Sequence, residues 1–161
     1  MFHATIIGLP RSRTFWFSHF LTHGDYHCFH DYESYIYPEV KGKILLNSTP
    51  NALSKPVGNT VIIERDWREA MRSMQRFLVL PYNVQDLANC YMKMAEHLET
   101  LEGYRVKYED INTRLPQILK HLDVQIPLNR LLEGRSFNKQ SKDNCEENSE
   151  YPYRYTQSCR F

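Results

Sequence analysis

This chain of 161 residues lacks several things, and each absence narrows the reading. No apolar run approaches the roughly 20 residues that a membrane-spanning helix needs, so no membrane partner is expected. Charge of one sign is missing too: the net charge is +1. That speaks against a protein that holds a polyanion by bulk charge, and nucleic acid is not an expected partner. Cysteines are few (Cys28, Cys90, Cys145 and Cys159), and none stand in C-x-x-C spacing. Free thiols in a reducing compartment are the expectation. No basic segment followed by an apolar signal core precedes the first strand-like run, which points to a cytoplasmic location. Internal repeats are absent. A hydrophobic content of 42% and a charged content of 24% are those of an ordinary globular chain, long enough for one domain with a real core.

Apolar runs predict strands at His3–Gly8, Tyr26–His30, Lys43–Leu46, Thr60–Glu64 and Tyr104–Tyr108. Helical spacing predicts helices over Ser12–Thr22, Trp67–Leu78 and Val84–Leu101, with another near Thr113–Leu122. Leu87, Tyr91, Met94, Leu98 and Leu101 form a core stripe on the third of these. Strands alternating with helices indicate a parallel sheet covered on both faces. The uninterrupted run Val61-Ile62-Ile63 fits a strand buried on both sides.

Chemistry concentrates in the first connection, Ile6-Ile7-Gly8-Leu9-Pro10-Arg11-Ser12-Arg13-Thr14-Phe15-Trp16. An apolar strand turns through Gly and Pro into a helix, with two arginines in the turn. Free N–H groups and the positive end of the helix dipole make such a turn suited to phosphate or sulfate. A P-loop of the ATP or GTP type needs G-x-x-x-x-G-K-[ST]. Counted from Gly8, Arg13 and Thr14 stand where Gly and Lys belong, so that pattern fails.

Pro10-Arg11-Ser12-Arg13-Thr14-Phe15-Trp16 instead resembles the 5′-phosphosulfate loop, about P-[KR]-S-G-T-x-W, of sulfotransferases that use 3′-phosphoadenosine 5′-phosphosulfate (PAPS). In that family an arginine at a strand end and a serine eight residues later hold the 3′-phosphate. Arg65 and Ser73, in Val61-Ile62-Ile63-Glu64-Arg65-Asp66-Trp67-Arg68-Glu69-Ala70-Met71-Arg72-Ser73, are similar in type and spacing. A guanidinium fork with a hydroxyl suits a dianionic phosphate. Val106-Lys107-Tyr108-Glu109-Asp110-Ile111 is similar to the "yEdl" segment of many members, whose role is mainly structural. The three segments fall in the family order from Ile6 to about Ile111, and the P-R-S-R-T form is similar to that of a bacterial and phage branch.

The resemblance implies an α/β, P-loop NTPase-like three-layer fold, with a central parallel sheet flanked by helices, over residues 1–133. It implies transfer of a sulfuryl group from PAPS to a hydroxyl or amine, leaving PAP, with no metal required. Arg11 would stabilise charge on the 5′-phosphate leaving group. Ser12, Arg13, Thr14 and Phe15 would offer backbone N–H groups, and Thr14 its hydroxyl as well. Several branches place the base just after the strand that follows the first helix. Here His30 and Asp31 rank equally and Glu33 below them. An unperturbed imidazole titrates near 6.5, whereas either carboxyl would need burial.

Arg13 departs from the family glycine. Where that position requires φ > 0, a non-glycine residue costs about 1 kcal/mol, unless the loop is reshaped and the side chain joins the anion site. Residues 134–161 are polar, with Tyr151, Tyr153, Tyr155 and Phe161 at the end, and read as a tail or a lid. Trp16 is expected in the core, while Trp67 either packs or meets the adenine. Arg65, Arg68, Arg72 and Arg76 give one helix a basic face, ordinarily a solvated one. His19, His23, His27 and His30 form a run, but the helix break at Gly24-Asp25 separates them and no metal site is expected. Two other functions remain open: a PAPS- or PAP-binding or host-interaction protein without turnover, and a small ATP- or GTP-dependent phosphotransferase. The acceptor and the oligomeric state are not legible.

Overall fold

In the computed structural model, residues 2–30, 42–53, 55–76, 78, 81–129 and 131 are described. The predicted alternation is present: β1 (Phe2–Gly8), α1 (Thr14–Leu21), β2 (Tyr26–His30), β3 (Lys43–Ser48), β4 (Asn59–Glu64), α2 (Trp67–Gln75), α3 (Val84–Thr100), β5 (Tyr104–Lys107) and α4 (Ile111–Leu122). All pairings are parallel and the strand order is β2-β3-β1-β4-β5. β1 therefore lies at the centre. The chain leaves it on one side for β2 and β3 and returns on the other for β4 and β5. Connections diverge there, and the crevice beyond the carboxyl ends of the central strands is where open α/β sheets take ligands.

Side-chain alternation assigns the two faces. Ala4, Ile6, Val61, Ile63 and Val106 pack with Phe17, Phe20 and Leu21 of α1 and with Ile111, Leu115 and Ile118 of α4. Ile7 and Ile62 point the other way, onto Ala70 and Met74 of α2 and Tyr91, Met94 and Leu98 of α3. Val61, Ile62 and Ile63 are all fully buried, as a strand covered on both faces requires. Burying each such side chain stabilises the fold by about 1.5–3 kcal/mol.

Helix starts follow local chemistry. The Asp66 carboxylate accepts from the N–H groups of Arg68 (2.9 Å) and Glu69 (3.0 Å) and starts α2. The Asn83 carbonyl oxygen does the same for Gln85 and Asp86 at the head of α3, each cap satisfying helix donors that lack a partner. Several boundaries differ from the expected ones, β3 among them, which runs on to Ser48 instead of ending at Leu46. α1 begins at Thr14, not Ser12, because Arg11 and Arg13 both have positive φ, which no helical turn accommodates. α2 ends at Gln75, short of Leu78. β5 stops at Lys107, and Tyr108–Asp110 form one 3-10 turn that leads into α4.

Candidate functional site

The loop between β1 and α1 lies at the sheet's central crevice. Gly8 closes β1 against β4, where a Cβ would stand 3.0 Å from the Ile63 Cβ and 3.4 Å from the Ser12 Cβ. The Ser12 N–H donates to the Leu9 carbonyl at 3.0 Å, which tightens the turn. Arg11 (φ 70°) and Arg13 (φ 62°) are left-handed, the backbone form that lets successive N–H groups face one concavity. The glycine position of the motif thus does require positive φ, and Arg13 meets it at a cost of about 1 kcal/mol.

The head of α1 differs from those of α2 and α3. Its N-cap, Arg13, makes no side-chain cap, and its first turn carries no acidic residue. A helix start without a side-chain cap or an acidic residue, at the positive end of the helix dipole, is one that suits an anion. Ser12 and Thr14 are buried, and the Ser12 hydroxyl has no partner among the described residues. A buried hydroxyl without a partner costs about 1–3 kcal/mol and calls for a ligand or a function.

Residues distant in sequence converge on this loop. The Arg11 Nε donates to the Ser73 hydroxyl at 3.4 Å, linking the first motif to α2. The Arg65 Nη1 donates to the Arg11 carbonyl, and its Nε is buried without a partner among the described residues. The Arg65 guanidinium lies 4.0 Å from the centre of the Tyr108 ring, a cation–π contact that holds it in place. The Arg13 Nη1 donates to Asn112 Oδ1 at 2.7 Å. Thr14 Oγ1 and His30 Nε2 are 3.1 Å apart, with the direction of the bond set by the imidazole tautomer. The structure thus brings Arg11, Ser12, Arg13, Thr14, Arg65, Ser73 and His30 into one neighbourhood. Phe15 is the second residue of α1. Asp31 and Glu33 lie outside the described residues, as does the segment 134–161.

Three participants were not picked out by the sequence reading. Asn47, fully buried at the end of β3, donates its amide to the Thr14 carbonyl, while its Oδ1 has no partner among the described residues. The signal was a polar residue closing an apolar strand. Tyr108 belongs to a segment expected to be structural, yet its ring meets both Arg65 and Arg13. Asn112 had no signal beyond its place after the Tyr-Glu-Asp segment.

Other expectations fall away from the site. Trp16 is in the core, stacked on Phe20 at 4.7 Å. Trp67 packs against the second core beneath the Arg68 guanidinium, 4.4 Å away. Arg68, Arg72 and Arg76 are solvent-exposed. His19 sits on α1 and His27 and His30 on β2, with His23 in the turn between. Among the described residues no three His, Cys, Asp or Glu side chains come together as a metal site. Among the same residues no helix is long and apolar enough to cross a membrane. Burial pushes the Cys28 thiol well above its ordinary range.

A five-stranded, all-parallel sheet with helices on both faces is an α/β architecture of the P-loop NTPase-like kind. Among solved structures the chain is similar to mouse sulfotransferase SULT7A1 complexed with PAP. The TM-score is 0.52 at 11% identity, over 88% of this chain and 68% of that one. At that identity the likeness is one of fold. The sequence matches no protein-family model, and no curated protein matches it.

Proposed function

We propose that this protein is a small PAPS-dependent sulfotransferase, of the bacterial or phage type and working in the cytoplasm. Residues 1–133 form its catalytic domain and 134–161 a tail or lid. The observation that carries the reading is the meeting of the two phosphate motifs: Arg11 contacts Ser73, and Arg65 contacts the Arg11 carbonyl. Two segments more than fifty residues apart in sequence thereby stand next to each other, which supports two neighbouring phosphate subsites. That is what a nucleotide with phosphates at both ends of its ribose requires. The fold shared with a sulfotransferase that binds PAP supports the same reading.

In this scheme the 5′-phosphosulfate lies at the head of α1, held by the N–H groups of Arg13, Thr14 and Phe15 and by the Thr14 hydroxyl; the Ser12 N–H, expected to join them, is spent on the Leu9 carbonyl, and Ser12 offers its unpartnered hydroxyl instead. Arg65 and Ser73 take the 3′-phosphate. The acceptor oxygen or nitrogen forms a bond to sulfur as the bond from sulfur to the 5′-phosphate oxygen breaks. The acceptor's proton passes to His30 Nε2, or to Asp31, and Arg11 stabilises the charge that develops on PAP. Guanidinium keeps its proton in proteins, so Arg11 acts by charge and not as an acid. Catalysis then rests on positioning and electrostatics, as in phosphoryl transfer.

The test is calorimetric titration with PAP, with AMP, ADP and ATP as controls, on the unaltered chain and on Arg65→Ala. PAP binding that collapses in the variant supports the reading and opens a screen of acceptors with PAPS. Preference for ATP overturns it in favour of a phosphotransferase, and absence of PAP binding overturns it outright.

A further inference from the structure

Arg13 offers the proposed nucleotide its backbone, yet its side chain is also engaged, by Asn112 and Tyr108. Arg13 comes from the loop after β1 and Arg65 from the end of β4. Their guanidinium carbons nevertheless lie 5.5 Å and 4.0 Å from the centre of the same Tyr108 ring. Asn112, in the first turn of α4, fixes the Arg13 fork through Oδ1 at 2.7 Å. A phenol ring and a carboxamide, both neutral, therefore gather two cations at one ring. Arg65 and Tyr108 follow directly on the adjacent strands β4 and β5, whereas Arg13 stands at the head of α1. A backbone outlier that persists points to what its side chain does. Here glycine would adopt the same φ without cost.

We propose that Arg13 and Arg65 act as a paired clamp on one dianionic phosphate ester, the group that a nucleotide bears on its ribose in addition to its 5′ end. Arg13 is then a specificity-determining residue that stands in place of the family glycine. This rests on the nucleotide reading above and adds a residue to it. Two planar forks can engage different edges of a phosphate monoester, which one guanidinium cannot do. Tyr108 and Asn112 act as positioning residues, holding the forks before the ligand arrives.

The experiment is titration with three probes: PAP, adenosine 3′-monophosphate and AMP. The proteins are the full chain, Arg13→Gly and Asn112→Ala. Arg13→Gly keeps the backbone N–H and relieves the left-handed φ, so its melting temperature should not fall. It should weaken PAP and the 3′-monophosphate by about tenfold or more, as loss of a charge-assisted contact does, and AMP by less than about twofold. Asn112→Ala, which leaves the loop backbone untouched, should show the same pattern at smaller amplitude. Equal losses for all three probes, or unchanged affinity in both variants, overturn the clamp. If the unaltered chain does not prefer PAP to AMP, the sulfotransferase reading falls with it; if that preference stands and Arg13→Gly retains it, only the clamp falls.

Discussion

The Thr14 hydroxyl and the His30 imidazole stand 3.1 Å apart, joining the first residue of α1 to the last residue of β2. Packing creates this pair: Phe17 and Leu21 of α1 share a core with Cys28 of β2. The base expected beside β2 is thereby held against the loop expected to bind the sulfuryl donor.

From that contact follows a split between binding and turnover. His30→Gln should lower the rate of sulfuryl transfer by about a hundredfold, the lower end of general-base effects. PAP affinity should change by less than about twofold. Initial rates and calorimetry on the same preparation measure both. An unchanged rate would remove His30 as base and leave the role to Asp31 or Glu33.

Asn47 ties the end of β3 to the first turn of α1 through the Thr14 carbonyl. Asn47→Ala leaves that carbonyl without its side-chain donor and opens a small void in a fully buried place. Urea unfolding should show a loss of about 2 kcal/mol. A change within experimental error would mean that the head of α1 is held by apolar packing alone.

Cys28 is buried in β2, and burial raises its thiol above the ordinary value. The folded chain therefore keeps the proton that the unfolded chain gives up. The associated stability is fully present below the unfolded thiol's value of about 8.5 and declines as pH rises beyond it. Urea midpoints of the unaltered chain should fall more between pH 8 and pH 10 than those of Cys28→Ala. Parallel curves would show that Cys28 does not contribute.

Arg105 gives a control away from the site. Its Nη2 donates to the carbonyls of Leu98 (3.0 Å), Glu99 (3.3 Å) and Leu101 (2.8 Å), and its Nη1 meets Glu64 at 3.3 Å. It closes the end of α3 and ties it to β5. Arg105→Ala should cost about 2 kcal/mol of stability, since bonds to a charged donor are strong. PAP affinity at temperatures well below the melt should stay within about twofold. A parallel loss of binding would mean that the β4–β5 edge is coupled to the nucleotide site.

The fold was largely legible because each signal is local. Unbroken apolar runs mark strands and period-3.6 stripes mark helices. Boundaries slipped where backbone conformation departs from the pattern. Ser12 lies outside α1 because its two arginine neighbours are left-handed, and nothing in an arginine's composition reports that. For the site, Arg11, Arg65 and Ser73 were legible as motif residues, while Asn47, Tyr108 and Asn112 were not. Their parts depend on neighbours 33, 43 and 99 residues away.

By itself the sequence determined the order of strands and helices, the uncapped turn after the first strand, and the two segments that resemble phosphate motifs. Propensity, capping and hydrophobic period act over a few residues. The tertiary structure decided that β1 would be central, that Arg11 would meet Ser73, and that one tyrosine ring would gather two arginines. Those outcomes follow from which apolar faces can be buried together once every strand competes for the same sheet, and no local pattern records that competition.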